Sequence, residues 1–539
     1  MPDESTVVTL PQGRIRGVVE DGALHWRGIP YAAPPVGELR WCAPRAAASW
    51  ADVRSGAEYG NAASQPLDEF AGISAGPMPD CAEDCLYLNV CAPLEAAPES
   101  GNPVLVYFPG GGFRTGHGAQ AGDGESFARA GIVVVTLNYR LGALGFANLA
   151  GVVGPAAADA GICGFLDQIA ALNWVRSNIG AFGGDPRRIT VYGVSAGGKS
   201  VGNLMASPLT TGLFSRAIVS SGGADHMATP ETGTAIADRL CAELDCRELA
   251  ALRRIPSAEI IAAQERILGG VVATWLWRPT QHPAALPALP RDLIAGGSAA
   301  GVRLLVGNNA NEAATFALLG GVATVTAPTV DVLTDILGAE RADRLLATYR
   351  AERGVDESRA KIAAMGDERY AIPTLRLADA QVPHGRTYRY RVDVAAPGMP
   401  AAVDGGHGTE VPMVWDRPVT VPGVVVKANP ARERTAALIR QNWISFIRDG
   451  VPTADGLSPW PDYETTTRPV LIFDDDPHVE LDPRKAERLV WGDATWTSTT
   501  WYPIPPMAAK PAQPRLDREP AVADVYESVE IGQVDHDGQ

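Results

Sequence analysis

The chain has 539 residues, of which 46% are hydrophobic and 20% charged, with a formal net charge of −16. That balance fits a folded globular protein with a large core rather than a disordered chain. The negative charge argues against nucleic acid or an anionic membrane as partner, and no apolar run approaches the ~18 residues needed to span a bilayer.

Residues 5–30 alternate as short strands with glycine turns. They end in Gly28-Ile29-Pro30-Tyr31-Ala32-Ala33-Pro34-Pro35-Val36-Gly37, a stretch too dense in proline and glycine for regular structure and expected to run extended over the surface. Residues 55–82, rich in Ala, Gly and Ser, read as loop. Segments 84–90, 104–108 and 131–139 read as strands. The second is nearly all apolar, which places it in a parallel sheet covered on both faces. Leu166, Ile169, Leu172 and Val175 recur at helical spacing between Phe165 and Ile179, predicting a helix with one apolar face. Ile189-Thr190-Val191 reads as a strand, and 199–205 as helix-capable. Further on, 213–220 and 304–307 predict strands, 230–270 and 330–380 helices, 388–392 a strand, 432–448 an amphipathic helix and 470–473 a late strand. The whole predicts an α/β fold with a large, mostly parallel sheet flanked by helices. One domain is expected over residues 1–507. The Pro-, Ala- and acid-rich segment 508–539 reads as a poorly ordered tail.

Between the strand at 189 and the helix at 199 stands Gly193-Val194-Ser195-Ala196-Gly197. Gly-x-Ser-x-Gly between a strand and a helix is the context of a nucleophile elbow. The serine is held on a strained turn that leaves no room for Cβ atoms two residues to either side. Alone the motif is weak, so the argument turns on what else acyl transfer requires: a base, a carboxylate to orient it, and amides for the oxyanion. Phe108-Pro109-Gly110-Gly111-Gly112-Phe113 follows a core strand. Its side-chain-free backbone makes Gly111 and Gly112, with Ala196, the candidate oxyanion donors; the plain reading is a tight loop. Glu312 follows the strand at 304–307 and is the candidate acid, against the plain reading of a solvated loop glutamate. His407, in Gly405-Gly406-His407-Gly408, best fits the chain order Ser, acid, His among eight histidines. His117, His226 and His384 compete with it, and His478 reads as a solvated turn rather than a metal ligand. Phe113, Trp275, Trp277, Phe316, Met413 and Trp415 lie in or beside these loops. They are candidates to line an acyl or alcohol pocket, each equally open to plain packing.

The seven cysteines are odd in number and lack metal-knuckle spacing, which points to reduced thiols in a cytoplasm and to no metal. The first six residues carry neither a basic region nor an apolar stretch, so no signal peptide is expected. No cofactor is expected.

These residues resemble the type B carboxylesterases, the cholinesterase-like branch of the α/β-hydrolases, over about residues 10–475. The resemblance is carried by Trp26 to Arg40, Glu83-Asp84-Cys85-Leu86-Tyr87-Leu88-Asn89-Val90, Asn138 to Phe146, Phe182-Gly183-Gly184-Asp185-Pro186, the Ser195 elbow and the Glu312 and His407 loops. It implies a Ser195–His407–Glu312 triad, an oxyanion hole of Gly111, Gly112 and Ala196, and a gorge above the sheet covered by helical insertions. Departures occur at Pro109, where many members have histidine, and at Val194, where glutamate is usual. Another is Gly161-Ile162-Cys163-Gly164, in place of Gly-Asn-x-Gly. The cysteine that pairs with the Glu-Asp-Cys cysteine in secreted members is absent from Asn61-Ala62-Ala63-Ser64-Gln65, so the resemblance implies a free Cys85 thiol. The expected protein is a serine esterase for small aromatic or medium-chain esters, a monomer or homodimer. Two other readings remain: a dehydratase, cyclase or acyltransferase reusing the fold, and a non-catalytic interaction protein.

Overall fold

The computed structural model describes residues 6–66, 78–95, 99–268, 276–417, 419 and 428–494. The tail expected at 508–539 and Trp275 lie outside these residues. At the centre is a sheet of 11 strands. They are β1 (Val18–Glu20), β2 (Ala23–Pro30), β3 (Tyr87–Pro93), β4 (Asn102–Phe108), β5 (Val133–Leu137), β6 (Gly184–Val194), β7 (Arg216–Ser220), β8 (Arg303–Asn309), β9 (Thr387–Val392), β10 (Pro469–Phe473) and β11 (His478–Leu481). Their order in space is β1-β2-β3-β5-β4-β6-β7-β8-β9-β10-β11. From β5 to β10 neighbouring strands run parallel, and antiparallel strands close both edges.

The central strands are apolar on both faces because both faces are covered. Val104, Val106 and Phe108 of β4 enter one core cluster, Leu105 and Tyr107 the other, as the period of two requires. The α-helices of seven or more residues are α1 (Cys163–Asn178), α2 (Ala196–Ala206), α3 (Pro230–Glu243), α4 (Ser257–Ile267), α5 (Glu312–Gly320), α6 (Thr329–Leu337), α7 (Ala339–Arg353), α8 (Glu357–Gly366), α9 (Ile372–Gln381), α10 (Pro430–Asp449) and α11 (Lys485–Trp491). The first core cluster takes Phe165 and Leu172 of α1, Val201 and Leu204 of α2, and Leu377 of α9. The second takes Ile439, Trp443 and Phe446 of α10. A third cluster is purely helical, with Phe316, Leu333, Leu345, Met365, Tyr370 and Trp491.

β5 lies on one side of β4 and β6 on the other, so the chain runs one way from β4 to β5 and then back past β4 to β6. Such a switch point opens a crevice at the carboxyl ends of the strands. The register places Phe108 opposite Gly193, Val194 opposite Ser220, Ser220 opposite Gly307 and Asn309 opposite Val392. The loops after β4, β6, β7, β8 and β9 therefore emerge along one edge.

Three segments differ from the sequence expectation. Gly28–Pro30 completes β2, and the chain then turns inward: Ile29 and Tyr31 are buried and the Tyr31 hydroxyl donates to the Asn138 carbonyl at 2.6 Å. Proline and glycine fix the local dihedrals, but the apolar side chains decide that the path is internal. The helix α1 is buried beyond its apolar stripe, since Asp167 and Gln168 are fully buried. Asp167 pairs with Arg140, and Gln168 Nε2 donates to Ser200 Oγ at 2.9 Å. After residue 473 the chain adds β11 and α11, too short and polar to read from a periodic pattern. Among the described residues, no helix is long and apolar enough to cross a membrane. All seven cysteines are free thiols.

Candidate active site

Ser195 is the residue between β6 and α2, at φ 59° and ψ −124°. Only surrounding structure keeps a non-glycine residue in that region. Its N–H donates to the Ser220 carbonyl at 3.0 Å, and its carbonyl accepts from the Lys199 N–H at 2.9 Å, closing the first turn of α2. The flanking glycines serve close approach. A Cβ on Gly193 would stand 2.2 Å from the Gly197 carbonyl, and one on Gly197 would stand 2.0 Å from the Phe108 carbonyl oxygen. The elbow is thus wedged against the end of β4.

From that end runs the glycine loop. Gly111, Gly112 and Phe113 all have positive φ, at 118°, 64° and 58°. The turn is closed by Arg114 and Thr115 N–H groups donating to the Gly111 carbonyl at 3.1 and 2.9 Å. A Cβ on Gly110 would stand 2.7 Å from the Val194 carbonyl oxygen and 3.3 Å from Ser195 Cβ, so the loop lies directly against the serine. The Ala196 N–H belongs to the first turn of α2, where amides have no intrahelical acceptor. Pro109 offers its carbonyl to the Tyr139 hydroxyl at 2.9 Å.

Glu312 opens α5 and is buried. Its Oε2 lies 2.6 Å from His407 Nδ1. Its Oε1 accepts from the Ser221 hydroxyl at 2.5 Å and from the Asn309 N–H at 2.7 Å. The His407 ring packs with two aromatic rings that also stack on each other, Tyr370 stacked at 4.3 Å and Phe316 at 5.2 Å. Asn309 Nδ2 fastens the histidine loop, donating to the Gly406 carbonyl and to Glu410 Oε2 at 2.8 and 2.6 Å. Burial pushes the Glu410 carboxyl up from its ordinary range. Lys199 is also buried, and burial lowers it to about 8 against the opposing pull of Glu368 and Asp225.

The structure brings Glu312 and His407 together, sets the glycine loop against Ser195, and places all of them at the carboxyl edge of the sheet. Among the histidines it is His407 that meets Glu312. Burial lowers His117 to about 4. His226 is held well below the usual imidazole range by burial, with Lys199 and Arg278 adding to it, and stacks on Phe113 at 5.6 Å. His384 Nε2 lies 2.7 Å from the Ala295 carbonyl. His478 is exposed beside Asp474 and Glu480. No cluster of three or more metal-binding side chains occurs among the described residues.

The aromatic candidates separate. Phe316 lies against His407. Met413 and Trp415 do not reach a pocket: both are in the second core cluster, and the Trp415 ring packs on Tyr107 at 4.9 Å and Phe127 at 5.4 Å. The turn into α10's side of the sheet draws them under it, where large apolar surface is best buried. Trp277 is in the first core cluster, and Phe113 is fully buried, edge-on to Phe146 at 5.2 Å. A small cavity lined by Arg40, Glu83, Cys85, Arg140 and Leu144 lies apart from the serine. Sequence reasoning missed Ser221, Asn309, Lys199 and Tyr370. Ser220-Ser221-Gly222-Gly223 after a strand was a usable signal for the first; the others had none.

Comparison with known proteins identifies the family and the fold. The model of the Carboxylesterase family matches residues 4–491. The chain is 34% identical over 494 residues to the para-nitrobenzyl esterase of Bacillus subtilis, covering 89% of this chain and 97% of that one. It is 33% identical to the phenmedipham hydrolase of Pseudarthrobacter oxydans, with 86% and 94% covered. Among solved structures, the carboxylesterase EST55 of Geobacillus stearothermophilus superposes with a TM-score of 0.80 at 35% identity, over 90% of this chain and 100% of that one. A PNB esterase structure superposes with a TM-score of 0.79 at 32% identity, over 91% and 100%. The mixed sheet, its helical cover and the ordered motifs are those of the α/β-hydrolase fold, and the chain belongs to the carboxylesterase family.

Proposed function

We propose that Ser195, His407 and Glu312 form the catalytic triad of this carboxylic ester hydrolase. In that mechanism Ser195 Oγ attacks the ester carbonyl while His407 takes its proton through the nitrogen that Glu312 does not hold. Glu312 fixes the ring's orientation and stabilises the imidazolium. The amides of Gly111, Gly112 and Ala196 receive the oxyanion. His407 returns the proton to the departing alcohol, and water activated by the same base releases the acid from the acyl-enzyme. The observation that carries this reading is the 2.6 Å contact of His407 Nδ1 with Glu312 Oε2.

The substrates we propose are small aromatic or medium-chain esters. The printed names of the relatives, a para-nitrobenzyl esterase and a phenmedipham hydrolase, support aromatic groups, and Phe316 beside His407 offers apolar contact. The same proposal covers a single domain over 1–507, action in the cytoplasm as monomer or homodimer, and no nucleic acid or membrane partner. Its support is the set of free thiols and the net charge of −16.

The test is reaction with a fluorophosphonate, followed by intact mass, beside hydrolysis of short aromatic esters. Stoichiometric labelling is expected in the wild type and none in Ser195→Ala, with turnover lower by roughly 10⁴-fold or more. Hydrolysis retained in Ser195→Ala refutes the assignment. Transfer to an added alcohol in preference to water would identify an acyltransferase instead.

A further inference from the structure

Beside the triad lies a group of charges outside the proposed mechanism: Lys199, Glu368 and Arg369, all buried, and the half-buried Asp225. Lys199 is the member closest to the chemistry, one helical turn after Ser195 on α2. Its Nζ donates to the Arg369 carbonyl at 3.1 Å and lies 5.2 Å from the centre of the Tyr370 ring. The titratable and charged groups facing the ammonium are Glu368, Asp225, Arg369, Glu312 and His226.

That carbonyl lies in an irregular stretch of backbone. Asp367–Ala371 is a turn of π-helix between α8 and α9, in which the Ile372 N–H bonds the Asp367 carbonyl five residues back. Pro373 follows. Proline has no N–H for the carbonyl four residues earlier, and its ring crowds that carbonyl; here the carbonyl is that of Arg369. Widened turns of this kind recur at functional sites. The residue that this one presents is Tyr370, whose ring stacks on His407 at 4.3 Å with 27° between the planes.

We propose that Lys199 is a positioning residue for His407, donating a hydrogen bond to the Arg369 carbonyl and backing the Tyr370 ring against which the imidazole rests. The proposal rests on the esterase reading, in which His407 is the base. Ser195 and Lys199 then occupy successive turns of one helix, so the nucleophile and the support of its base are set by a single rigid element.

The experiment compares Lys199→Met, Lys199→Gln and Lys199→Arg with wild type by kcat, KM and the acid limb of the kcat/KM profile, with Ser195→Ala as control. A small misplacement of the base lowers kcat by roughly ten- to hundred-fold, so Lys199→Met should show that loss with KM within about twofold. Its acid limb should move to higher pH, because a positive charge near the imidazolium is gone. Lys199→Arg, which keeps N–H donors and charge, should restore most of kcat and the limb. If Lys199→Met fails to fold, Lys199→Gln carries the same expectation, since its amide nitrogen is one bond short of the carbonyl. A folded Lys199→Met or Lys199→Gln with unchanged kcat and an unmoved limb overturns the proposal, even if its thermal midpoint falls. Activity in Ser195→Ala would overturn the esterase reading itself, a separate result.

Discussion

Ser221 enters the site through a carboxylate rather than through the substrate. Its hydroxyl and the Asn309 N–H fill Glu312 Oε1, leaving Oε2 for His407. The two oxygens of one acid therefore have different tasks, and the orientation of the imidazole depends on donors that touch nothing reactive. A hydrogen bond to a charged group contributes about 1.5–3 kcal/mol. Ser221→Ala is accordingly expected to lower kcat by roughly ten-fold or more in steady-state kinetics, with KM almost unchanged. Equal kcat in the variant would mean that the Asn309 N–H alone holds the carboxylate. Of this, residue types show only that a serine pair follows a strand. Ser220-Ser221-Gly222-Gly223 reads as a turn, and its second serine gains a task only because β7 and β8 are neighbours.

At the scale of elements, the sequence was most legible where burial is symmetrical. The strands β4, β5 and β6 sit at the middle of the sheet, and the apolar runs 104–108, 133–135 and 191–194 mark them. The elbow was legible because its glycines answer a steric demand that few motifs share. Legibility failed where tertiary contact decides. The π-turn at 367–371 follows no period, and α1 hides polar residues that a stripe of leucines does not foretell. Among the latter is Asp167, fully buried, which binds Arg140 through Nε and Nη2, both at 2.7 Å. That pair ties α1 to the segment after β5. Removing one partner of a buried pair destabilises by about 3–5 kcal/mol, because the other charge is left without compensation. Asp167→Ala should therefore lower stability by about that much in denaturant unfolding, and Arg140→Met combined with Asp167→Leu should recover much of it. A double variant no better than Asp167→Ala would show that the acceptor for the Arg140 main-chain N–H, not the charge pair, is what matters.

For the molecule as a whole, the balance of buried charge sets how stability responds to pH. Glu368 is fully buried, and neither carboxylate oxygen has a hydrogen-bond partner among the described residues. Burial raises its carboxyl well above the ordinary value of 4.5, although Arg369, Lys199 and Arg376 pull the other way. The folded protein thus keeps a proton that the unfolded chain has already released. With more protons bound in the folded state, stability falls as pH rises above the ordinary glutamate value, by up to about 1.4 kcal/mol per pH unit, until Glu368 itself ionises. Glu368→Gln cannot ionise and should escape that loss. Between pH 5 and about 7.5, the stability of Glu368→Gln relative to wild type is expected to increase steadily in denaturant titrations. Asp225 and Glu410 are raised by burial in the same direction, but they occur in both proteins, so their slopes cancel in the difference. Lys199 titrates at about 8, above this window, and the self-repulsion of a chain carrying −16 is likewise common to both. Parallel stability curves would mean that the three neighbouring cations outweigh burial and that Glu368 is already ionised in the folded protein. A widening gap would place a neutral acid beside Lys199, whose ammonium donates to the carbonyl of Arg369.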